Sequence, residues 1–175
     1  MYCQLIIPKP DWREKTVSIL GDSISTFKGV SNNTSYNSTI GNNIVWYHGV
    51  AWRQNILTSD QTWWSQAISQ LGMKLLVNNS SAGSRVYETY EGSAVTPGAY
   101  LDRCVQLHNN SGKTPDVIWV YLGTNDFDRA YAQTAVAPSE YLGSASKVTY
   151  DQLITDNGYT EPTTVCEAYA IMRIR

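Results

Sequence analysis

Charge is what this sequence has least of: only 16% of its residues are Asp, Glu, Lys or Arg, and the formal net charge is −2. So weakly charged a chain is neither a disordered polyelectrolyte nor a nucleic-acid binder, which would need a basic face to meet phosphates. Its expected partner is a neutral or weakly charged small molecule or a glycan. Cysteine is also sparse. Cys3, Cys104 and Cys166 are odd in number and far apart, which argues against a disulfide framework and a zinc knuckle, and no metal or other cofactor is expected. Long apolar runs are missing: nothing approaches the ~18 residues of a membrane span. Pro8, Lys9 and Pro10 interrupt the start before a signal-peptide core forms, so a soluble chain with no membrane partner is expected. Around its serines there is no G-x-S-x-G elbow, and no Rossmann or P-loop glycine pattern occurs, which disfavours an ordinary α/β-hydrolase and nucleotide chemistry.

What is present suffices for one domain. The 175 residues are 42% hydrophobic, enough to bury a real core. Three short apolar runs carry the strand signal: residues 16–21 (TVSILG), 74–78 (KLLVN) and 117–123 (VIWVYLG). They are near-continuously apolar, as buried parallel strands are, where a half-exposed strand would alternate. Helices are expected between and after them. Residues 62–71 have Thr62 as a cap, Trp64, Ala67, Ile68 and Leu71 at helical spacing, and Gly72 as terminator. Residues 100–108 place Leu101, Cys104, Val105 and His108 on one stripe, and residues 162–174 begin with Pro162 and align Val165, Ala168, Tyr169 and Met172. Alternating strands and helices predict an α/β fold with a parallel sheet between helical layers. Residues 25–60 and 128–160 are too long for ordinary connections and are expected to carry substrate-binding surface.

Each expected strand runs into a polar cluster. The first ends in Gly21-Asp22-Ser23-Ile24-Ser25, the second leads to Asn78-Asn79-Ser80-Ser81-Ala82-Gly83-Ser84, and the third to Gly123-Thr124-Asn125-Asp126. In an open parallel sheet, ligands bind beyond the carboxyl ends of the strands, so all three clusters land on one working edge. Acyl transfer needs this convergence: a serine hydroxyl attacks a carbonyl, and preorganised N–H donors meet the oxyanion that develops. Ser23 supplies the hydroxyl, Gly83 permits close backbone approach, and Asn125 offers an amide.

These three motifs, in order and at the ends of three successive strands, resemble blocks I, II and III of the GDSL/SGNH hydrolases. The resemblance implies an α/β/α fold with flavodoxin-like strand order 2-1-3-4-5. It implies Ser23 as nucleophile, Gly83 and Asn125 in the oxyanion hole, and a late Asp-x-x-His as base. No Asp-x-x-His follows Asn125, so the chain is expected to be a single SGNH-like domain over residues 1–175 that is incomplete at its C-terminus. A weak esterase is expected as a consequence.

Plainer readings stand beside these. A Gly-Asp-Ser triplet alone is a turn, Gly83 serves equally as a turn glycine, and Asn125 as a helix cap. Asp22 and Asp126 are read as ordering their loops through local hydrogen bonds rather than moving protons. Trp46 and Tyr47 either line a sugar or acyl site or simply pack, and at least one of Trp63 and Trp64 is read as helix-face core. His108, on an apolar stripe, is read as structural. His48, in the long segment after Ser23, is the lesser candidate for the base, against a family pattern that places the histidine after the last strand.

The favoured function is hydrolysis of carboxylic esters, with O-acetylated carbohydrate as substrate class. The alternative is a non-catalytic glycan-binding module that kept the fold. Because only three strands are found, the third is expected either to be covered by residues 128–160 or to pair with another copy of the chain.

Overall fold

The computed structural model describes residues 11–31, 45–47, 49, 56–87, 101–109, 111–127, 154–155, 158–159 and 164–168. Three strands form one parallel sheet: β1 (Thr16–Gly21), β2 (Lys74–Ser80) and β3 (Val117–Tyr121), in the order β2-β1-β3. The central strand is buried at every residue, as an uninterrupted apolar run requires when both its edges are paired and both its faces covered. This order matches the first three strands of the expected 2-1-3-4-5 arrangement.

Register assigns the two faces. Ile19 and Gly21 pair with Trp119 and Tyr121, whereas Ser18 and Leu20 pair with Ile118 and Val120. The first set faces helix α1 (Trp63–Leu71), whose Trp63 ring lies 5.9 Å from Trp119 and 5.3 Å from Tyr121. The second set faces α2 (Leu101–Val105): Ser18 Oγ donates to the Leu107 carbonyl at 2.7 Å, and Leu20 packs with Val86, Leu107 and Ala168. Helices therefore cover opposite faces of the sheet, giving three layers. Among the described residues, no helix is long and apolar enough to cross a membrane.

The sheet is locked at its amino edge by Asp116, whose carboxylate accepts the Thr16 N–H at 2.7 Å and the Thr16 hydroxyl at 2.8 Å. Those bonds, helped by Lys15, lower its pKa to about 2. Between Val17 and Ser18 the register with β2 jumps from Leu75 to Val77. Beyond this bulge, strand alternation puts Asn78 and Asn79 on opposite faces, each with its own partners.

Several expectations change in detail. β2 continues to Ser80, because Leu20 and Gly21 go on pairing with Asn79 and Ser80. Its buried side-chain amides donate inward: Asn78 Nδ2 to the Ser25 carbonyl, and Asn79 Nδ2 to the Arg103 carbonyl and Gln106 Oε1. β3 ends at Tyr121, before Gly123 turns the chain with φ 115°. Thr62 does not cap α1 with its side chain; its hydroxyl donates to the Ser59 carbonyl at 2.6 Å. Gly72 terminates α1 as expected, left-handed at φ 67°. Trp64 is buried and belongs to the core, whereas Leu71 is exposed.

The stripe expected on residues 100–108 is displaced. Val105 is 52% exposed and His108 is exposed, while Arg103 and Leu107 point inward. The helix stops at Val105, and for Leu107 and His108 the cause is local, since their amides reach back three residues to Cys104 and Val105. Three residues per turn shifts the phase of every later side chain. The helix expected over residues 162–174 is described at residues 165–168. Thr164 caps it, accepting the Ala168 N–H on its carbonyl and the Glu167 N–H on its hydroxyl.

β3 was expected to be buried and is not. Ile118 is 49% and Val120 40% exposed, and among the described residues nothing pairs with its outer edge. Within residues 128–160 the described elements are β4 (Ile154–Thr155) and β5 (Gly158–Tyr159), an antiparallel pair that forms a sheet of its own. The rest of that segment, most of residues 25–60, and the residues His48, Trp52 and Cys3 lie outside the described residues.

Candidate active site

The nucleophile candidate sits on a tight turn. Asp22 leaves β1 in extended conformation and caps a 3-10 turn, Ser23–Ser25, by accepting the Ile24 N–H on its carboxylate at 3.0 Å. The turn folds straight back onto the strand end. A β-carbon at Gly21 would come within 2.6 Å of Ser25 Cβ and of Ser80 Oγ, so only glycine fits beneath the turn. Below it, Asn78 Nδ2 holds the Ser25 carbonyl at 2.9 Å and Trp63 Nε1 reaches Ser25 Oγ at 3.3 Å. The Ser23 carbonyl accepts both the N–H and the hydroxyl of Thr26. Ser23 itself stays half-buried, as a side chain that meets a substrate must.

The structure brings the three polar clusters together. Ser81 N donates to the Gly21 carbonyl and Asp22 N to the Tyr121 carbonyl, each at 3.1 Å, so the loops after β2 and β3 start one peptide away from Ser23 on either side. The loop after β2 closes with Ser84 N on the Ser81 carbonyl and carries Gly83 at φ 75°, a left-handed conformation that glycine adopts freely. The loop after β3 opens a helical turn at residues 124–127, with Phe127 N on the Gly123 carbonyl. Across the gap, Asn125 Nδ2 donates to the Ser84 carbonyl at 2.8 Å. One of the two amide hydrogens is thereby engaged, which fixes the plane and direction of the other.

The two aspartates differ in reach. Asp22 bonds locally, two residues on. Asp126 does not: its fully buried carboxylate accepts Val86 N and Tyr87 N at 2.9–3.1 Å, tying the third loop to the second over forty residues of sequence. Burial raises the pKa of both, and for Asp126 it outweighs the N–H donors that favour the charged form. The negative charge of Asp126 adds to the rise at Asp22, which places the two carboxylates in one electrostatic neighbourhood.

Trp46 and Tyr47 are drawn to the same turn. Trp46 N donates to Thr26 Oγ1 at 2.7 Å, and the Tyr47 carbonyl accepts Lys28 N at 2.9 Å. Tyr47 is 7% exposed, and its phenol pKa is raised by burial first and then by Tyr121 and Asp22. Its ring thus sits beneath the turn. His108 is exposed and follows Leu107, whose carbonyl accepts from Ser18 Oγ in the middle of β1. Leu107 meets Ser18 three residues before the end of β1, roughly 10 Å along the strand from Gly21 at ~3.3 Å per residue. His48 lies outside the described residues. Among the described residues, no three His, Cys, Asp or Glu side chains converge as a metal site needs.

Two residues at this site were not singled out in the sequence: Ser84, as the acceptor that orients Asn125, and Arg103, buried behind the second loop. The signal for Arg103 was a cation four residues before Leu107, on the face that turns inward.

Residues 15–171 match the sequence profile of the GDSL-like lipase/acylhydrolase family. Two solved structures are similar over 91% of the chain. One is a GDSL-like lipase from Bacteroides uniformis, with 29% identity and a TM-score of 0.57. The other is a GDSL-like lipase from Bacteroides ovatus, with 24% identity and a TM-score of 0.54, a likeness of fold. The chain spans 63% and 64% of the length of these two proteins. No curated protein matches it. With a profile that covers nearly its whole length and a parallel sheet bearing the three motif loops on one edge, the chain belongs to the GDSL-like lipase/acylhydrolase family.

Proposed function

We propose that this chain carries the nucleophile and oxyanion hole of a serine esterase acting on O-acetyl groups of carbohydrate. The observation that supports this reading is the joining of three loops on one sheet edge by Ser81 N on Gly21 O, Asp22 N on Tyr121 O and Asn125 Nδ2 on Ser84 O. A strand-end serine on a capped turn, flanked by a left-handed glycine and an oriented amide, has the parts that acyl transfer uses.

In this mechanism Ser23 Oγ attacks the ester carbonyl and gives its proton to a base. The carbonyl oxygen becomes an oxyanion, met by the Gly83 N–H and the free Nδ2–H of Asn125. Collapse expels the alcohol, which takes the proton back, and water then hydrolyses the acyl-serine by the same path. The base is not assigned to His108, which is exposed and follows a residue bonded to Ser18 in the middle of β1. Within residues 1–175 no Asp-x-x-His follows Asn125, and triad enzymes deprived of one member retain roughly 10³–10⁴-fold catalysis over water. The carbohydrate preference draws on the low charge of the chain and on Trp46 beside the turn, whereas Tyr47, 7% exposed, packs.

The test is acetate release from O-acetylated oligosaccharides, set against hydrolysis of long-chain aryl esters, with Ser23→Ala as control. Acetate release that disappears in the variant supports the reading. Tight saccharide binding with no Ser23-dependent hydrolysis of any ester contradicts it.

A further inference from the structure

Arg103 is the largest fully buried side chain of the described residues, 2% exposed, and the mechanism above gives it no part. A guanidinium is always charged, and burying one is costly unless its donors are used. Here they grip both ends of one loop. Nη2 donates to the Asn79 carbonyl at 2.8 Å, where β2 ends, and Nη1 donates to Ser84 Oγ at 2.9 Å, where the loop closes. In return, Asn79 Nδ2 donates to the Arg103 carbonyl at 3.2 Å. Gly83 lies inside the span so clamped. Ser84 is the junction: its hydroxyl accepts from Arg103, and its carbonyl accepts from Asn125 Nδ2 at 2.8 Å.

Resting on the esterase reading, we propose that Arg103 is a positioning residue for the oxyanion hole, acting through Ser84 on the Gly83 peptide and the Asn125 amide together. The two donors come from different strands; Asp126 ties their loops through the Val86 and Tyr87 N–H groups, and Ser84 links the Gly83 peptide to the Asn125 amide itself. A rigid planar fork bound to both loop ends sets the Ser84 peptide, and the Ser84 carbonyl sets the amide. Lysine, with a single ammonium, does not hold two acceptors in fixed relation. Because the guanidinium does not titrate, its contribution is constant over the working pH range.

The test uses the whole chain, an alkyl phosphonate that labels Ser23, and 15N-labelled protein. The side-chain NH2 pair of Asn125, assigned by its loss in Asn125→Ala, reports the bond to Ser84. Arg103→Lys and Ser84→Ala are both expected to shift that pair. They are also expected to slow phosphonylation of Ser23 about tenfold or more, since misplacing preorganised donors approaches the cost of removing one. The pH profile of labelling keeps its shape. Ser84→Ala, a change of one buried hydroxyl, guards against a lysine variant that fails to fold. Adding Ser84→Ala to Asn125→Ala slows labelling by less than about twofold more, as coupled residues do. Parent-rate labelling in Ser84→Ala with the Asn125 pair unmoved overturns this inference alone. A parent chain that takes no phosphonate on Ser23 overturns the esterase reading along with it.

Discussion

The amide of Asn125 and the carbonyl of Ser84 meet at 2.8 Å across two loops that leave different strands. That bond does for the site what no single loop does, since it gives a side-chain donor from β3 the orientation of a backbone segment from β2. The first prediction concerns this donor. Asn125→Ala slows acylation of Ser23 by roughly 10²–10³-fold, the usual cost of losing one oxyanion donor. It costs only about 1 kcal/mol of stability, the typical net worth of one hydrogen bond. Labelling kinetics and urea denaturation measure the two effects. Equal rates in variant and parent would remove Asn125 from the chemistry.

Asp126 is predicted to be structural first. Its carboxylate is the acceptor for the buried N–H groups of Val86 and Tyr87, and Asp126→Ala leaves them unpaired at about 1–3 kcal/mol each. With two such groups, urea denaturation of Asp126→Ala should show a loss of about 2–6 kcal/mol. A midpoint unchanged from the parent contradicts the assignment.

Much of this was legible in the sequence. The three strands, their parallel order and the three polar clusters follow from apolar runs that each end in Gly, Asn and Ser, since such residues cannot extend a buried strand. Other features were not legible. The places of Leu107 and His108 depend on two amides reaching back three residues, and the burial of Arg103 depends on acceptors at Asn79 and Ser84 that tertiary packing brings to it. Asp126 read as a local loop residue because sequence shows neighbours, whereas its partners lie forty residues away.

Gly21 is predicted to be irreplaceable. A methyl group there meets Ser25 Cβ and Ser80 Oγ at 2.6 Å, so Gly21→Ala must push the nucleophile turn off the strand at a cost of about 1–3 kcal/mol. Both the thermal midpoint and Ser23 labelling should fall together. A variant with parent stability and parent labelling shows that the turn is not packed this way.

The amino edge of the sheet has a measurable pH signature. Asp116 titrates near 2 because Thr16 donates its N–H and hydroxyl to the carboxylate. A folded pKa below the ordinary 3.8 means the stabilisation is present above about pH 4 and is lost as the pH falls through about 2. The Thr16 amide resonance should follow that titration. A midpoint at the ordinary value breaks the proposed clamp.

The outer edge of β3, with Ile118 and Val120 exposed beside it, is predicted to pair with another strand, from residues 128–160 or from a second copy. Sedimentation velocity over a range of concentrations distinguishes the two, and Val120→Lys should abolish association in the second case. A concentration-independent monomer whose β3 edge amides exchange at solvent rates contradicts both.

The central claim is that Ser23 is the nucleophile, and one measurement addresses it most directly: mass-spectrometric mapping of the adduct left by an alkyl phosphonate. Labelling depends on the oxyanion donors even where the base is missing and turnover is only the residual ~10³–10⁴-fold over water that such sites retain. The account predicts a single adduct, on Ser23, that is absent in Ser23→Ala. An adduct on any other residue, or undiminished esterase activity in Ser23→Ala, contradicts it.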